Sequence, residues 1–138
     1  MSEGEEPETP EYKFQKLEVY RLAIELVDSI YEIVERLPEL ERFNLSSQIL
    51  RASTSIVLNI AEGSTGQSNL EQNRFLGMAI RSYIETVACL DLIQRRRYVA
   101  SNTLAATRRE GHRVFVKLQA FRRSLRTPES KDPELEVD

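Results

Sequence analysis

The segment LSSQILRASTSIVLNIAEG, residues 45–63, decides how this chain is read. Leu45, Ile49, Ala52, Ile56 and Ile60 recur at steps of three and four, the spacing that gathers side chains on one side of an α-helix. Asn44 stands where an N-cap is wanted, and Gly63 is placed to close the helix at its C-terminus. Leu50, Val57 and Leu58 extend the apolar surface around most of the cylinder. A helix of that kind is buried on most sides, so it is expected to touch its own bundle and another subunit. A polar stripe interrupts it: Gln48, Arg51, Ser55, Asn59 and Glu62 fall within about 80° of arc. A solvated face is the ordinary explanation of such a stripe. Here the middle is short-chained, Ser55 and Asn59, rather than the Lys and Glu of an exposed helix, which favours a partly buried polar network.

Upstream, Leu17, Tyr20, Ile24, Val27, Ile30 or Tyr31, Val34 and Leu37 form another helical face, which Pro38 ends. Downstream, Ser64 to Gln67 make a short loop, and Ser68-x-x-Glu71 has the spacing of a capping box. A third helix carries Leu76, Ile80, Tyr83, Val87, Leu90 and Ile93 or Gln94, and its pattern fades near Tyr98. Ser101 or Asn102 can cap a fourth, with Leu104, Gly111, Val114, Phe115, Leu118, Phe121 and Leu125 on its face and Thr127-Pro128 at its end. Gly111 either permits a close helix approach or is a tolerated accident. Four amphipathic helices with short connections predict an all-α, antiparallel up-and-down four-helix bundle.

The composition of the 138 residues, 41% hydrophobic and 30% charged, suits one globular domain. No apolar run approaches the roughly 20 residues of a membrane span, and the acidic start lacks the apolar stretch of a signal peptide, so a cytoplasmic location is expected. Cys89, the only cysteine, is expected to be a small buried hydrophobe. The net charge of −3 is unevenly spread: residues 1–11 carry −5, residues 127–138 carry −4, and residues 12–126 carry +6. The Pro-containing acidic ends, 1–11 and 127–138, are expected to be mobile tails flanking a basic bundle over 12–126.

The 45–63 string resembles the 23S rRNA-intervening sequence protein family, also called the four-helix bundle protein family. FQKLEVYRLAIELV (14–27), LPELERFNL (37–45) and RFLGMAIRSYIET (74–86) are similar to its opening helix, first turn and third helix. The likeness spans residues 14–98 and weakens over the fourth helix. The resemblance implies a bundle assembled into a ring-like homo-pentamer, without catalytic activity, cofactor or metal. It also implies a fold similar to the accessory protein of diversity-generating retroelements, a basic pentamer that binds a reverse transcriptase and nucleic acid. The family's positions fall on Gln48, Arg51, Asn59, Ala61, Glu62, Gly63 and Glu85. Tyr20 stands where a Trp is common, Val57-Leu58 replace a usual Pro-Ser, and Tyr83 takes the place of a small or apolar residue.

Candidate chemistry is thin. His112 is the only histidine and no Glu-x-x-His pair exists, so a di-metal bundle site is not written here. Glu62 and Glu85 could form a carboxylate pair for acid–base work. Without a metal, a positioned base or a phosphate loop, the chain is expected not to be an enzyme. Arg51 with Glu62 or Glu85 reads better as a structural ion pair. Gly63-Ser64-Thr65-Gly66 lacks the Gly-Lys-Ser/Thr and the preceding strand of a phosphate loop.

The basic stretch is the stronger signal. Residues 81–126 hold eleven basic side chains against Glu85, Asp91 and Glu110, a net +8, and ten of the eleven are Arg, suited to bidentate phosphate contacts. Arg95, Arg96 and Arg97 end the third helix, where the helix dipole alone would favour them. Arg108, Arg109, Arg113, Lys117, Arg122, Arg123 and Arg126 follow along the fourth. In a ring each such stripe would repeat, multiplying phosphate contacts. The expectation is a non-enzymatic, oligomeric bundle that binds RNA or DNA through this surface. The alternative is an interaction scaffold that docks a partner protein such as a nucleic-acid enzyme.

Overall fold

A computed structural model of the chain describes residue 4, residues 7–65 and residues 68–125. Among them are four α-helices, α1 (Glu18–Val34), α2 (Leu45–Gly63), α3 (Asn69–Arg96) and α4 (Ser101–Ser124), with 3-10 turns at Lys13–Lys16 and Glu39–Glu41. α1 packs on α2 and α4, and α3 packs on α2 and α4, with no diagonal pairing. That cyclic order, with each helix beside its neighbour in sequence, is the up-and-down four-helix bundle. The acidic segment 127–138, residues 1–3, 5 and 6 of the other acidic segment, the loop residues Gly66 and Gln67, and Arg126 lie outside the described residues.

All five expected inward residues of α2 are buried. In α3, Leu76, Ile80, Leu90 and Ile93 are buried, while Tyr83 and Val87 are half-buried at the edge. In α4, Leu104, Gly111, Val114, Phe115 and Leu118 face inward, and Phe121 and Leu125 pack partly against the core. Only α1 departs from the expected face. Its buried residues are Val19, Ala23, Leu26, Ile30 and Ile33, roughly a quarter turn around the helix from the expected stripe. Ile24 and Tyr31 are exposed, and Tyr20, Val34 and Leu37 form a half-buried shoulder. α1 is apolar over a wide arc, and the fit against α2 and α4, not the periodicity, selects the part that is buried.

The caps show what side chains do when tertiary partners compete. Ser68 caps α3 by accepting from the Glu71 backbone N–H at 3.2 Å, but the Glu71 side chain pairs with Arg74 at 2.8 Å instead of closing the box. Asn44 occupies the N-cap position of α2 without a side-chain cap bond. Its amide donates to Glu41 and its carbonyl oxygen accepts from Gln48. α4 starts after Ala100, with neither Ser101 nor Asn102 as its cap, and again without a side-chain cap bond. α3 ends on Arg97 in the left-handed region, at φ 59°.

Two glycines are explained by approach rather than by turn geometry. Gly63 is the last helical residue of α2, not a left-handed cap. A Cβ there would lie 2.9 Å from Phe75 Cβ on α3, too close for either backbone to tolerate. Gly111 faces Tyr83, whose Cε1 would be 3.0 Å from an added Cβ. The Tyr83 ring also stacks on Phe115, with ring centroids 5.3 Å apart. Gly111 is therefore the complement of the large residue at position 83.

Polar cross-links fix the helices in register. Ser29 on α1 donates to both carboxylate oxygens of Glu110 on α4, at 2.8 and 3.0 Å. Tyr98 donates to Glu41 at 2.8 Å, joining the α1–α2 connection to the end of α3. That hydrogen bond, with help from Asn44, the Leu45 N–H and the Arg96 charge, holds the Glu41 carboxyl below its ordinary value and outweighs the opposing effect of desolvation. The same bond, aided by desolvation, pushes the Tyr98 hydroxyl up.

Gly63→Ala is expected to destabilise the fold by about 1–3 kcal/mol through overpacking against Phe75, read as a lower denaturant midpoint. Arg97→Gly is expected to stabilise by about 1 kcal/mol, because glycine adopts the left-handed cap without Cβ strain; thermal melting checks it. The depressed Glu41 carboxyl contributes stability above the ordinary carboxylate value of 4.5, and this is lost as pH falls through its lower folded value. In a pH series of melts, Glu41→Gln should therefore flatten the acid limb of the stability curve. The raised Tyr98 hydroxyl contributes below 10.0 and is lost as pH rises through its folded value, so Tyr98→Phe should flatten the alkaline limb.

Candidate nucleic-acid interface

The basic residues singled out in the sequence divide into three groups in space. Arg109, Arg113 and Arg123 lie on the outer face of α4 and are exposed. Their spacing gives a row running about 21 Å along the helix, with Val116 and Ala120 between them. Arg95, Arg96 and Arg97 are exposed at the end of α3. Among the described residues no ion pair engages any of these six.

The second group is engaged within the chain. Arg108 bridges Asp91 and Gln94 on α3, at 2.9 Å each. Lys117 pairs with Glu18 on α1 at 3.3 Å. Both pairs are solvent-accessible and worth about 0–1 kcal/mol, so a phosphate could displace the carboxylate at small penalty.

Arg122 stands alone as a correction. Expected on the basic surface, it is buried, with 7% of its surface exposed, and its Nε donates to Asn73 Oδ1 at 3.1 Å. Its guanidinium packs over Gly77, where an added Cβ would lie 3.0 Å from Nη2. Arg122 joins α4 to α3 rather than facing solvent. Arg126 lies outside the described residues. The sequence carried one faint sign of this arrangement, Asn73 on the inward side of α3, a residue that a purely apolar core would not contain.

The polar stripe of α2 is half a network within one chain. Asn59 donates to the Ser55 carbonyl at 2.9 Å and to its hydroxyl at 3.1 Å, and Ser82 on α3 donates to the Ser55 hydroxyl at 2.9 Å. Arg51 pairs with Glu85, not Glu62, at 2.6 Å. Gln48 bonds only back to Asn44 among the described residues, and Glu62 is exposed. Beside the stripe runs an open groove lined by Leu50, Thr54 and Leu58, with Arg51 and Glu62 among its polar lining. Leu58 is an exposed apolar residue on the outer face of a helix whose other side is core.

Glu62 and Glu85 are not brought together as a hydrogen-bonded pair. Among the described residues no group of His, Cys, Asp and Glu is arranged to hold a metal ion. Cys89 is buried, and desolvation pushes its thiol up, away from the reactive thiolate. His112 is exposed on α4 beside Phe115. No helix of the described residues is long and apolar enough to cross a membrane.

Comparison with known proteins agrees with this architecture. No curated protein matches the chain. A crystal structure of a protein of unknown function from the S23 ribosomal protein family of Bacteroides thetaiotaomicron is similar, with a TM-score of 0.69 and 27% identity. The alignment covers 74% of this chain and 95% of that one. The profile of the 23S rRNA-intervening sequence proteins matches residues 15–120, which takes in the first three helices and most of the fourth, where the sequence resemblance weakens. On that match over most of its length, the chain belongs to the 23S rRNA-intervening sequence protein family.

Proposed function

We propose that this chain is a non-enzymatic, self-assembling bundle that binds RNA or DNA through its arginine surface without reading base sequence. The observation that carries the reading is two groups of exposed arginines with no ion-pair partner among the described residues, Arg109, Arg113 and Arg123 along α4 and Arg95, Arg96 and Arg97 at the end of α3. Guanidinium groups that are not already paired lose little on meeting a phosphate and gain bidentate contacts. Contacts from arginine to phosphate oxygens fix position on the strand and carry no sequence information. The family's association with ribosomal RNA genes by name, and the ribosomal-family label of the related crystal structure, point to the same class of partner.

The assembly we propose is the homo-pentameric ring that the family resemblance implies. The apolar groove of Leu50, Thr54 and Leu58 on α2, flanked by Arg51 and Glu62, supplies a surface for a neighbouring copy. A scaffold that docks a nucleic-acid enzyme, as the retroelement accessory protein does, is the second reading. It draws on the same groove, with a different occupant.

Purified, nuclease-treated protein titrated with labelled RNA and DNA across a salt series tests the first reading. Affinity should fall steeply with salt, and Arg109→Ala with Arg113→Ala should weaken binding to all sequences alike and reduce the salt slope by about one for each phosphate contact removed. Absence of binding at low salt would reject it. Capture of a protein partner after nuclease treatment, with no affinity for nucleic acid, would favour the scaffold. In sedimentation, the wild type should run near five times its 15.9 kDa chain mass, and Leu58→Glu should shift it toward the single-chain value without unfolding it. A wild type that sediments as a single chain would reject the ring.

A further inference from the structure

The connection between α1 and α2 is inside out. Of its five charged residues one, Glu41, is turned into the protein with 6% of its surface exposed, while Leu40 and Phe43 point outward at 82% and 87%. Hydrophobic burial would favour the opposite arrangement. The turn is held this way from below: Glu41 accepts from Tyr98 at 2.8 Å and, within the turn, from Asn44 at 3.1 Å, so the segment cannot roll over to hide Leu40 and Phe43 without breaking the bond to Tyr98. Arg42 lies over the Phe43 ring, its guanidinium carbon 5.2 Å from the centroid, which leaves the rest of the ring open.

The same hydrogen bond places this turn next to the end of α3. Tyr98 follows Arg95, Arg96 and Arg97 directly, and Arg96 is near enough to act on the Glu41 carboxyl. One end of the bundle thus carries an exposed aromatic ring, an exposed Leu and four arginines. Arg97 is held there in a left-handed backbone conformation that glycine would adopt with less strain.

We propose that this end of the bundle binds single-stranded nucleic acid, with Phe43 as a stacking platform for one base and Arg95, Arg96 and Arg97 gripping the flanking phosphates. The inference rests on the nucleic-acid reading above and adds the strandedness and the residue that decides it. A duplex keeps its bases stacked on one another and offers Phe43 no face, whereas an unpaired base can leave its neighbours and stack on the ring. Arg42 is paired with Glu39 at 3.3 Å, so the charge that complements a phosphate chain is that of Arg95, Arg96 and Arg97, and stacking on a phenyl ring accepts any base, which agrees with binding that does not read sequence. Leu40, three residues before Phe43, extends the apolar surface against the adjoining base or sugar.

The chain contains no Trp, so Phe43→Trp introduces a single tryptophan at the platform, which can be excited apart from the five tyrosines. Titration of this variant with a single-stranded RNA of about 20 nucleotides should quench its emission saturably, and a duplex of the same sequence should not; a platform of this kind is worth about 5- to 100-fold in affinity, the loss expected in Phe43→Ala for the single strand. Phe43→Ala should leave the salt slope unchanged, and Arg95→Ala with Arg97→Ala should lower it. Because Phe43 is 87% exposed, its melting temperature serves as a folding control and should stay constant. Binding that persists at full strength in Phe43→Ala, or Trp emission that does not respond to a bound single strand, would overturn this inference alone. A drop in sedimenting mass on Phe43→Ala would also overturn it, by assigning the patch to a contact between copies. No binding of any nucleic acid by the wild type at low salt would remove both this inference and the reading on which it rests.

Discussion

The close approach of α2 to α3 is the constraint from which the rest of the molecule follows. It is the tightest pairing of the bundle, and it is possible because small residues meet along it. Gly63 leaves room for Phe75, the hydroxyls of Ser55 and Ser82 touch at 2.9 Å, and Ala52 and Ala79 are fully buried. Close backbones make van der Waals contact without large side chains between them, and each pair of short polar groups satisfies itself across the seam. With α2 and α3 fixed, α1 and α4 fill the two remaining positions. The outer side of α2 is left with Leu50, Thr54 and Leu58 facing outward.

Polar groups then set how the four helices are staggered. Apolar packing alone is permissive about sliding, since Ile and Leu fit many neighbours nearly as well. Directed bonds are not permissive. Ser29 with Glu110, Glu41 with Tyr98, and Asn73 with Arg122 each tie elements far apart in sequence, and each would be left with a desolvated partner if the register slipped. Two of the three sit where a surface charge would be the default expectation, Glu41 in a turn and Arg122 in an arginine-rich helix.

This use of charge for structure also sharpens the surface. Of the basic residues in the second half of the chain, Arg122 is interior and Arg108 and Lys117 are engaged by Asp91 and Glu18. Arg74 is paired with Glu71, and apart from Arg81 the exposed arginines that remain form a row on α4 and a cluster at the end of α3, the latter joined through Tyr98 and Glu41 to the turn that carries the outward Phe43. Electrostatic attraction at long range and stacking at short range are thereby placed at one end of the bundle, where a flexible polymer can use both.

The sequence by itself determined the number, order and approximate bounds of the helices and the whole inward face of α2. These are local properties: residues three and four apart share a face whatever else the chain does, and Ser68 caps α3 through its own neighbours. It also determined the family, through the string at 45–63. Tertiary structure decided the matters in which two distant segments compete for one side chain. It chose Val19, Ala23 and Leu26 over Tyr20, Ile24 and Val27 as the buried arc of α1, because a broadly apolar helix has no unique inward side until its neighbours arrive. It turned Glu41 and Arg122 inward and Leu40 and Phe43 outward, against their polarity, because Tyr98 and Asn73 are brought to them only by the folded bundle. It paired Arg51 with Glu85 rather than Glu62, a choice left open by helical spacing, because the closeness of α2 to α3 places the third-helix carboxylate within 2.6 Å.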